Sequence, residues 1–198
     1  KSKNLTLEFV GARKESYSIK SRNPEISFGT LNEDLERRDF TINSMAISLN
    51  RENYGVLIDP FKGIVDLKNQ IIKTPLDPIK TFSDDPLRML RALRFCSQLN
   101  FKIEPNSLRA ITQNSERISI ITNERIVIEL NKILESKKPS KGFIILDETG
   151  LLEKIIPELN QLKGVEEIEG KTHKENFFHT LEVVDNISKQ TNNLWLRW

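Results

Sequence analysis

Apolar positions recur at short and mixed periods in the first part of the chain and at helical periods afterwards. Leu5-Thr6-Leu7-Glu8-Phe9-Val10 alternates in part and is β-rich, which predicts a strand. The polar run from Arg13 to Ser27, interrupted by Pro24, reads as a loop or an irregular hairpin arm, and Phe28-Gly29-Thr30 reads as a turn. Residues 31–50 are charged first and then apolar at Phe40, Ile42, Met45, Ala46, Ile47 and Leu49, which predicts a short helix from near Thr41 to Asn50. A strand is expected from Tyr54 to Asp59, stopped by Pro60. Gly63 marks another turn, and Asp66-Leu67-Lys68 leads into a short strand at Ile71-Ile72.

From Ser83 the spacing becomes helical. Leu87, Leu90, Leu93 and Phe95 define one helix, with Pro86 tolerated in its first turn. Phe101 and Ile103 form an extended hook. Further helices are expected at Asn106 to Gln113, Ile118 to Ser136, Ser140 to Thr149 and Leu151 to Ile156, the last stopped by Pro157. A Gly- and Glu-rich linker, Gly164 to Lys171, precedes a final helix from about Asn176 to Lys189. The fold class is therefore α+β: mixed to about residue 80, all-α to about 160, then a linker and a further helical unit.

Composition changes this picture little. A formal net charge of +2 gives no global nucleic-acid signal, so any basic surface has to be local. The single cysteine, Cys96, excludes an internal disulfide framework and a cysteine-rich zinc site, and its apolar neighbours mark it as a core residue. No apolar run approaches the roughly 18 residues of a membrane span, and no signal peptide is visible, which points to the cytoplasm. The oligomeric state has no signature in the sequence. The first residue is not Met, and the last six residues include Leu194, Trp195, Leu196 and Trp198; both ends read as those of a piece of a longer chain.

Three segments carry chemistry. In Arg37-Arg38-Asp39-Phe40-Thr41-Ile42-Asn43, two guanidiniums, a carboxylate and an amide surround apolar positions. Arginine's planar fork suits phosphate, and the acid and amide can orient it or hold a ribose hydroxyl. The same residues also fit a helix cap at Asp39 flanked by solvated arginines. In Asp84-Asp85-Pro86-Leu87-Arg88-Met89-Leu90-Arg91-Ala92-Leu93-Arg94, three arginines recur every three residues, about 60° apart around a helix. Asp85 lies three positions before Arg88, so acceptor and donor can stand side by side and read the edge of a base; a plain ion pair with helix-dipole compensation fits as well. The third segment, Asp59-Pro60-Phe61-Lys62-Gly63-Ile64-Val65-Asp66-Leu67, reads as architecture, with Asp66 capping or bracing a turn.

Taken in order, these segments resemble the motifs of the class II tRNA nucleotidyltransferases (CCA-adding enzymes) and bacterial poly(A) polymerases. Arg38 to Asn43 is similar to the family's second motif, Asp59 to Leu67 to its third, a brace between head and neck, and Asp85-x-x-Arg88 to its fourth. The fourth is usually Glu-Asp-x-x-Arg, and here Asp84 stands for the first acid. Glu124-Arg125-Ile126 with Glu129 and Lys132 resembles the fifth, and the stretch from Val10 to Tyr17 is also family-like.

The resemblance implies a partial polymerase-β-like head over 1–80, a helical neck and body over 81–160 that binds nucleotide and RNA, and a linker with the start of an HD-type helical domain over 161–198. It implies transfer of CMP and AMP from CTP and ATP to the 3′ end of tRNA or another RNA, with release of pyrophosphate. The nucleotide-binding residues would be Arg38, Asp39, Asn43, Asp85, Arg88, Arg91 and Arg94. The alternatives are poly(A) addition, since the branches share these motifs, and a non-catalytic RNA- or nucleotide-binding module without metal carboxylates.

The family's first motif, a Gly-Ser loop followed by Asp-x-Asp that holds magnesium, is expected upstream of Lys1, and without it the chain alone is expected to be inactive. Glu8 is the one candidate for an additional acid on a strand entering the site. The stretch His173 to Glu182 resembles the opening of the HD-type domain, but the His-Asp pair that would complete a metal site is absent from it, so no metal is assigned to His179.

Overall fold

The computed structural model describes residues 7–18, 21–164, 167–168, 171–172 and 176–198. β1 (Arg13–Ser18) and β2 (Ser21–Phe28) pair as an antiparallel hairpin with an irregular register between Ser16 and Ser18, so the polar run expected as a hairpin arm is one. Residues 7–10 form no strand, and residues 5 and 6 of that expected strand lie outside the described residues.

α1 (Leu31–Glu36) begins where Thr30 accepts a hydrogen bond from the Glu33 amide while the Glu33 carboxylate accepts from the Thr30 amide, a reciprocal cap. The helix expected from Thr41 to Asn50 is replaced by a 3₁₀ turn (Thr41–Asn43) and β3 (Ala46–Ile47), which pairs antiparallel with β4 (Leu57–Ile58). The cause is competition for backbone groups. Ser48 donates its amide to the Val56 carbonyl at 3.0 Å and accepts the Gly55 amide at 2.8 Å, so its backbone groups are not available to a helical ladder.

α2 (Gly63–Asn69) occupies what the sequence marks as a turn, because the Asp59 carboxylate accepts the amides of Gly63 and Ile64 at 2.6 and 3.0 Å and starts a helix there. Gly63 is needed for contact: a Cβ at this position would stand 2.2 Å from the Thr41 carbonyl oxygen. Asp66, one turn on, accepts from the Thr41 hydroxyl at 2.7 Å. The segment read as a brace therefore braces Thr41 directly.

β5 (Ile71–Ile72) follows, then α3 (Pro78–Asp84) and α4 (Leu87–Leu99). Asp85 belongs to neither helix. The proline after it disfavours helical backbone, and Asp85 is extended at φ −133°, ψ 96°. Asp85 and Arg88 thus do not share one helical face; Asp85 precedes the first turn of α4 and its carboxylate accepts the Leu87 amide at 3.2 Å.

β6 (Lys102–Ile103) pairs parallel with β5. α5 (Pro105–Asn114) leads through a 3₁₀ turn (Ser115–Ile120) to α6 (Asn123–Leu134), so the helix expected from Ile118 starts later. α7 (Ser140–Glu148), α8 (Leu151–Ile155) and α9 (Pro157–Asn160) complete the helical part. Of the expected linker, residues 165–166 and 169–170 lie outside the described residues, and β7 (Glu167–Ile168) pairs with β8 (Lys171–Thr172). α10 (Asn176–Gln190) and α11 (Leu194–Arg197) end the chain.

α4 is the centre of the packing. Nine of its thirteen residues are buried, and it touches α3, α6, α7, β5 and β6, so its orientation fixes every side chain it presents. Met89, Leu90, Ala92 and Leu93 are fully enclosed in a core shared with Phe40, Phe82, Ile111, Ile133 and Leu146. α7 approaches closely because Gly142 has no side chain; a Cβ there would lie 2.6 Å from the Ser97 hydroxyl and 2.7 Å from Ile133. Across the α4–α6 seam, Arg94 Nη1 stands 2.9 and 3.3 Å from the two Glu129 oxygens, with both side chains almost wholly buried.

Removing one member of a buried pair leaves the other charge uncompensated, at a cost of about 3–5 kcal/mol. Glu129→Gln is therefore expected to lower the melting temperature of the chain by about 10 °C. Arg94→Met combined with Glu129→Leu should recover most of the loss. Thermal unfolding of the three proteins checks this, and an unchanged midpoint for Glu129→Gln would remove the pair from the account of the seam.

Candidate nucleotide-binding cleft

The ends of four segments meet around an open cleft of about 680 Å³. The hairpin contributes Arg13 and Glu15, the segment after α1 contributes Arg37, Arg38, Asp39 and Asn43, the α3–α4 junction contributes Asp85, Arg88, Arg91 and Phe95, and α6 contributes Arg125. So many guanidiniums in one place repel each other unless carboxylates lie among them.

Asp34, buried in α1, is the first such carboxylate. It accepts from Arg37 at 2.6 and 3.1 Å through one oxygen and from Arg38 at 2.9 and 3.3 Å through the other. It also takes the Arg13 amide at 3.1 Å. Burial pushes the Asp34 carboxyl up, but the hydrogen bonds from Arg37, Arg38 and the Arg13 amide outweigh it and hold the group below its ordinary value. Arg37 is also bound by Glu15 at 2.7 Å.

Asp39, likewise buried, is the second. Its Oδ1 accepts the Phe40 amide at 2.9 Å and the Asn43 side-chain amide at 3.0 Å, while its Oδ2 accepts from Arg91 Nε at 2.7 Å. Asp39 therefore fixes Asn43 and Arg91 relative to each other across 52 residues of sequence. Arg88 is equally constrained: its Nη2 donates to the Arg37 carbonyl at 2.7 Å and lies 4.0 Å from Glu15. The Arg88 amide donates to the Asp85 carbonyl at 3.0 Å, which holds these two residues adjacent at the cleft although no helix face joins them. Beside them, burial pushes the Asp84 carboxyl above its ordinary value against the opposing charges of Lys80, Arg88 and Arg117.

Of the residues expected from sequence, Arg38, Asp39, Asn43, Asp85, Arg88 and Arg91 converge on the cleft. Arg94 does not line it. One further turn along α4 carries Arg94 to the α6 side, over the Phe95 ring at 4.2 Å and onto Glu129. Glu8 is exposed, lies in no strand and does not line the cleft. His179 is exposed on α10, and His173 lies outside the described residues.

Sequence reasoning counted Arg37 among the guanidiniums of its segment without naming it a binding residue, met Arg13, Glu15 and Arg125 only in family-like stretches without a role, and passed over Asp34. Asp34 had a usable signal, since it stands three and four residues before Arg37 and Arg38. Glu15 had none, because its partners are 22 and 73 residues away. Among the described residues, no group of three or more His, Cys, Asp or Glu side chains converges as a metal site would require.

Residues 1–73 match the poly A polymerase head domain, and residues 100–163 match the probable RNA and SrmB-binding site of polymerase A. The CCA-adding enzyme of Anoxybacillus flavithermus is 41% identical over 159 residues, which is 79% of this chain and 39% of that protein. The A-adding tRNA nucleotidyltransferase of Aquifex aeolicus is 40% identical over 152 residues, 73% of this chain and 18% of that protein. A solved tRNA nucleotidyltransferase, complexed with a primer tRNA and an incoming ATP analog, superposes with a TM-score of 0.66 at 32% identity, over 86% of this chain and 49% of that one. The chain thus spans well under half the length of these two curated relatives. With both family regions matched in order, and both contributing residues to the arginine-lined cleft, this chain belongs to the tRNA nucleotidyltransferase and poly(A) polymerase family.

Proposed function

We propose that this chain is the nucleotide-selecting part of a template-independent RNA nucleotidyltransferase that adds CMP and AMP to tRNA 3′ ends from CTP and ATP, releasing pyrophosphate. The observation that carries this reading is the convergence of Asp85 and Arg88 with Arg38, Asp39, Asn43 and Arg91 on one cleft from segments about fifty residues apart. Cytosine and adenine share an edge on which a ring nitrogen acceptor adjoins an exocyclic amine. A carboxylate can take the amine and a guanidinium can serve the ring nitrogen. Uracil and guanine offer a carbonyl and an N–H there, so both contacts are mismatched and a partly desolvated polar group is left unpaired.

In this reading Arg38 and Arg91 face the phosphates, where bidentate donation suits the geometry. Asp39 and Asn43 orient Arg91 or hold the ribose, and Arg94 supports the site through α6. The RNA 3′-hydroxyl attacks the α-phosphate of the selected nucleotide. The reading places residues 1–80 in a head, 81–160 in a neck and body, and 161–198 at the start of an HD-type region of a cytoplasmic protein. No helix among the described residues is long and apolar enough to cross a membrane.

Magnesium belongs to the family's chemistry, but the described residues do not fit it. No cluster of potential ligands forms, and Asp34, Asp39 and Asp85 already accept arginine or backbone donors. No step assigned to these residues runs through the metal. The A-adding relative supports a narrower second reading, addition of A alone, and the nucleotides that the full-length protein accepts decide between the two.

Two outcomes are expected. In the full-length protein, Asp85→Ala and Arg88→Ala should each reduce the preference for CTP and ATP over UTP and GTP by roughly tenfold or more, the consequence of about 1–3 kcal/mol lost at an unpaired partner. Competition assays with all four nucleotides measure this, and undiminished discrimination in both variants would sink the base-reading role. The purified 198-residue chain should incorporate no labelled ATP or CTP into tRNA; incorporation above background would show that its own residues suffice.

A further inference from the structure

The cleft holds more positive charge than its own carboxylates neutralise. Four of its six arginines are engaged: Arg37 and Arg38 by Asp34, Arg91 by Asp39, and Arg88 by the Arg37 carbonyl. Arg13 and Arg125 differ. Among the described residues, neither guanidinium has a hydrogen bond or an ion pair. For Arg125 solvent accounts for that, since the residue is exposed in the first turn of α6. It does not account for Arg13, whose Nε is buried without a partner. A buried guanidinium N–H left unmet is costly, and such a group is satisfied when an anion enters beside it.

We propose that Arg13 and Arg125 receive phosphate oxygens of the ligand in this cleft, as contacts additional to those from α4 and the segment after α1. The inference rests on the nucleotidyltransferase reading above. The two arginines enter from different elements, β1 and α6, so they flank the cleft rather than extend the row on α4. Arg13 is also tied to the arginine cluster from below, because its amide donates to the same Asp34 that holds Arg37 and Arg38. Their ligand chemistry is a phosphate oxygen, supplied either by the triphosphate of the incoming nucleotide or by the last phosphodiester of the RNA.

The test uses the full-length protein with Arg125→Gln, Arg125→Lys and Arg13→Lys, the last chosen because a neutral residue at a half-buried strand position endangers folding. Equilibrium binding is measured for a non-hydrolysable ATP analogue and, across a salt series, for a tRNA lacking its terminal A. Arg125→Gln should weaken one ligand by roughly tenfold, the size of a lost charge-assisted hydrogen bond, with Arg125→Lys recovering part of it. A loss confined to the ATP analogue assigns the triphosphate. A loss confined to tRNA, with the slope of log affinity against log salt reduced by about one, assigns the RNA backbone. Wild-type affinity for both ligands in Arg125→Gln and Arg13→Lys overturns the inference. Asp85→Ala is measured in parallel: if it loses base discrimination while those two variants bind normally, only this inference fails, and if it retains discrimination the reading beneath it fails as well.

Discussion

Everything at the cleft depends on burying carboxylates under arginines. Guanidiniums a few ångströms apart repel strongly once water is displaced, and an arginine row would splay without counter-charge. Asp34 and Asp39 supply that charge from below the surface, each about 7% exposed. The arrangement works because neither acid is consumed by one partner. Asp34 spreads its two oxygens over Arg37 and Arg38, and Asp39 divides between backbone, Asn43 and Arg91. Each guanidinium is thereby positioned while keeping further N–H groups for a ligand, which a one-to-one ion pair with a compact ammonium would not allow.

The three arginines of α4 show how a simple repeat becomes a division of labour. A three-residue step turns each successive side chain by about 60°. Because α4 is packed on most sides, each turn delivers a guanidinium to a different neighbour. Arg88 meets the Arg37 carbonyl, Arg91 meets Asp39 at the cleft, and Arg94 meets Glu129 inside the α4–α6 seam. The first two tie the helix to the segment after α1; the third ties it to α6. One helix thus joins the two regions that match separate family domains, residues 1–73 and 100–163, and it does so with the residue type that also lines the site.

What the sequence made legible follows the range of the interactions concerned. The helical repeat of Leu87, Leu90 and Leu93, the Pro157 stop and the bracing role of Asp66 were all readable, because each is set by neighbours within a few turns or by the chemistry of one residue. α1 escaped notice although its Thr30–Glu33 cap was present, since Leu31 and Leu35 alone give no periodicity. The 41–50 segment misled because its apolar spacing is helical while the backbone from Ala46 to Ser48 pairs with Gly55 to Ile58, partners that no helical periodicity reveals. The site divided the same way. Motif residues on the α3–α4 junction and after α1 line the cleft, whereas the contacts of Glu15 arise only on folding, and Arg94 turns away to a carboxylate 35 residues off.

Net charge illustrates the same limit from the other side. A formal charge of +2 over 198 residues looks nearly neutral. Yet within one cleft six arginines face only three lining carboxylates, Glu15, Asp39 and Asp85. Fields from exposed charges elsewhere are screened over about 8 Å at physiological salt, so a polyanion approaching this surface responds to the local excess and not to the chain's total. Low-dielectric walls such as Phe95 and Leu87 concentrate that field inside the cleft. The anion is drawn to the place where Asp85 and Arg88 stand, and charge attracts every nucleotide alike. In the proposed reading, discrimination among them falls to the short-range, directional contacts of that pair, two residues with little effect on the overall field.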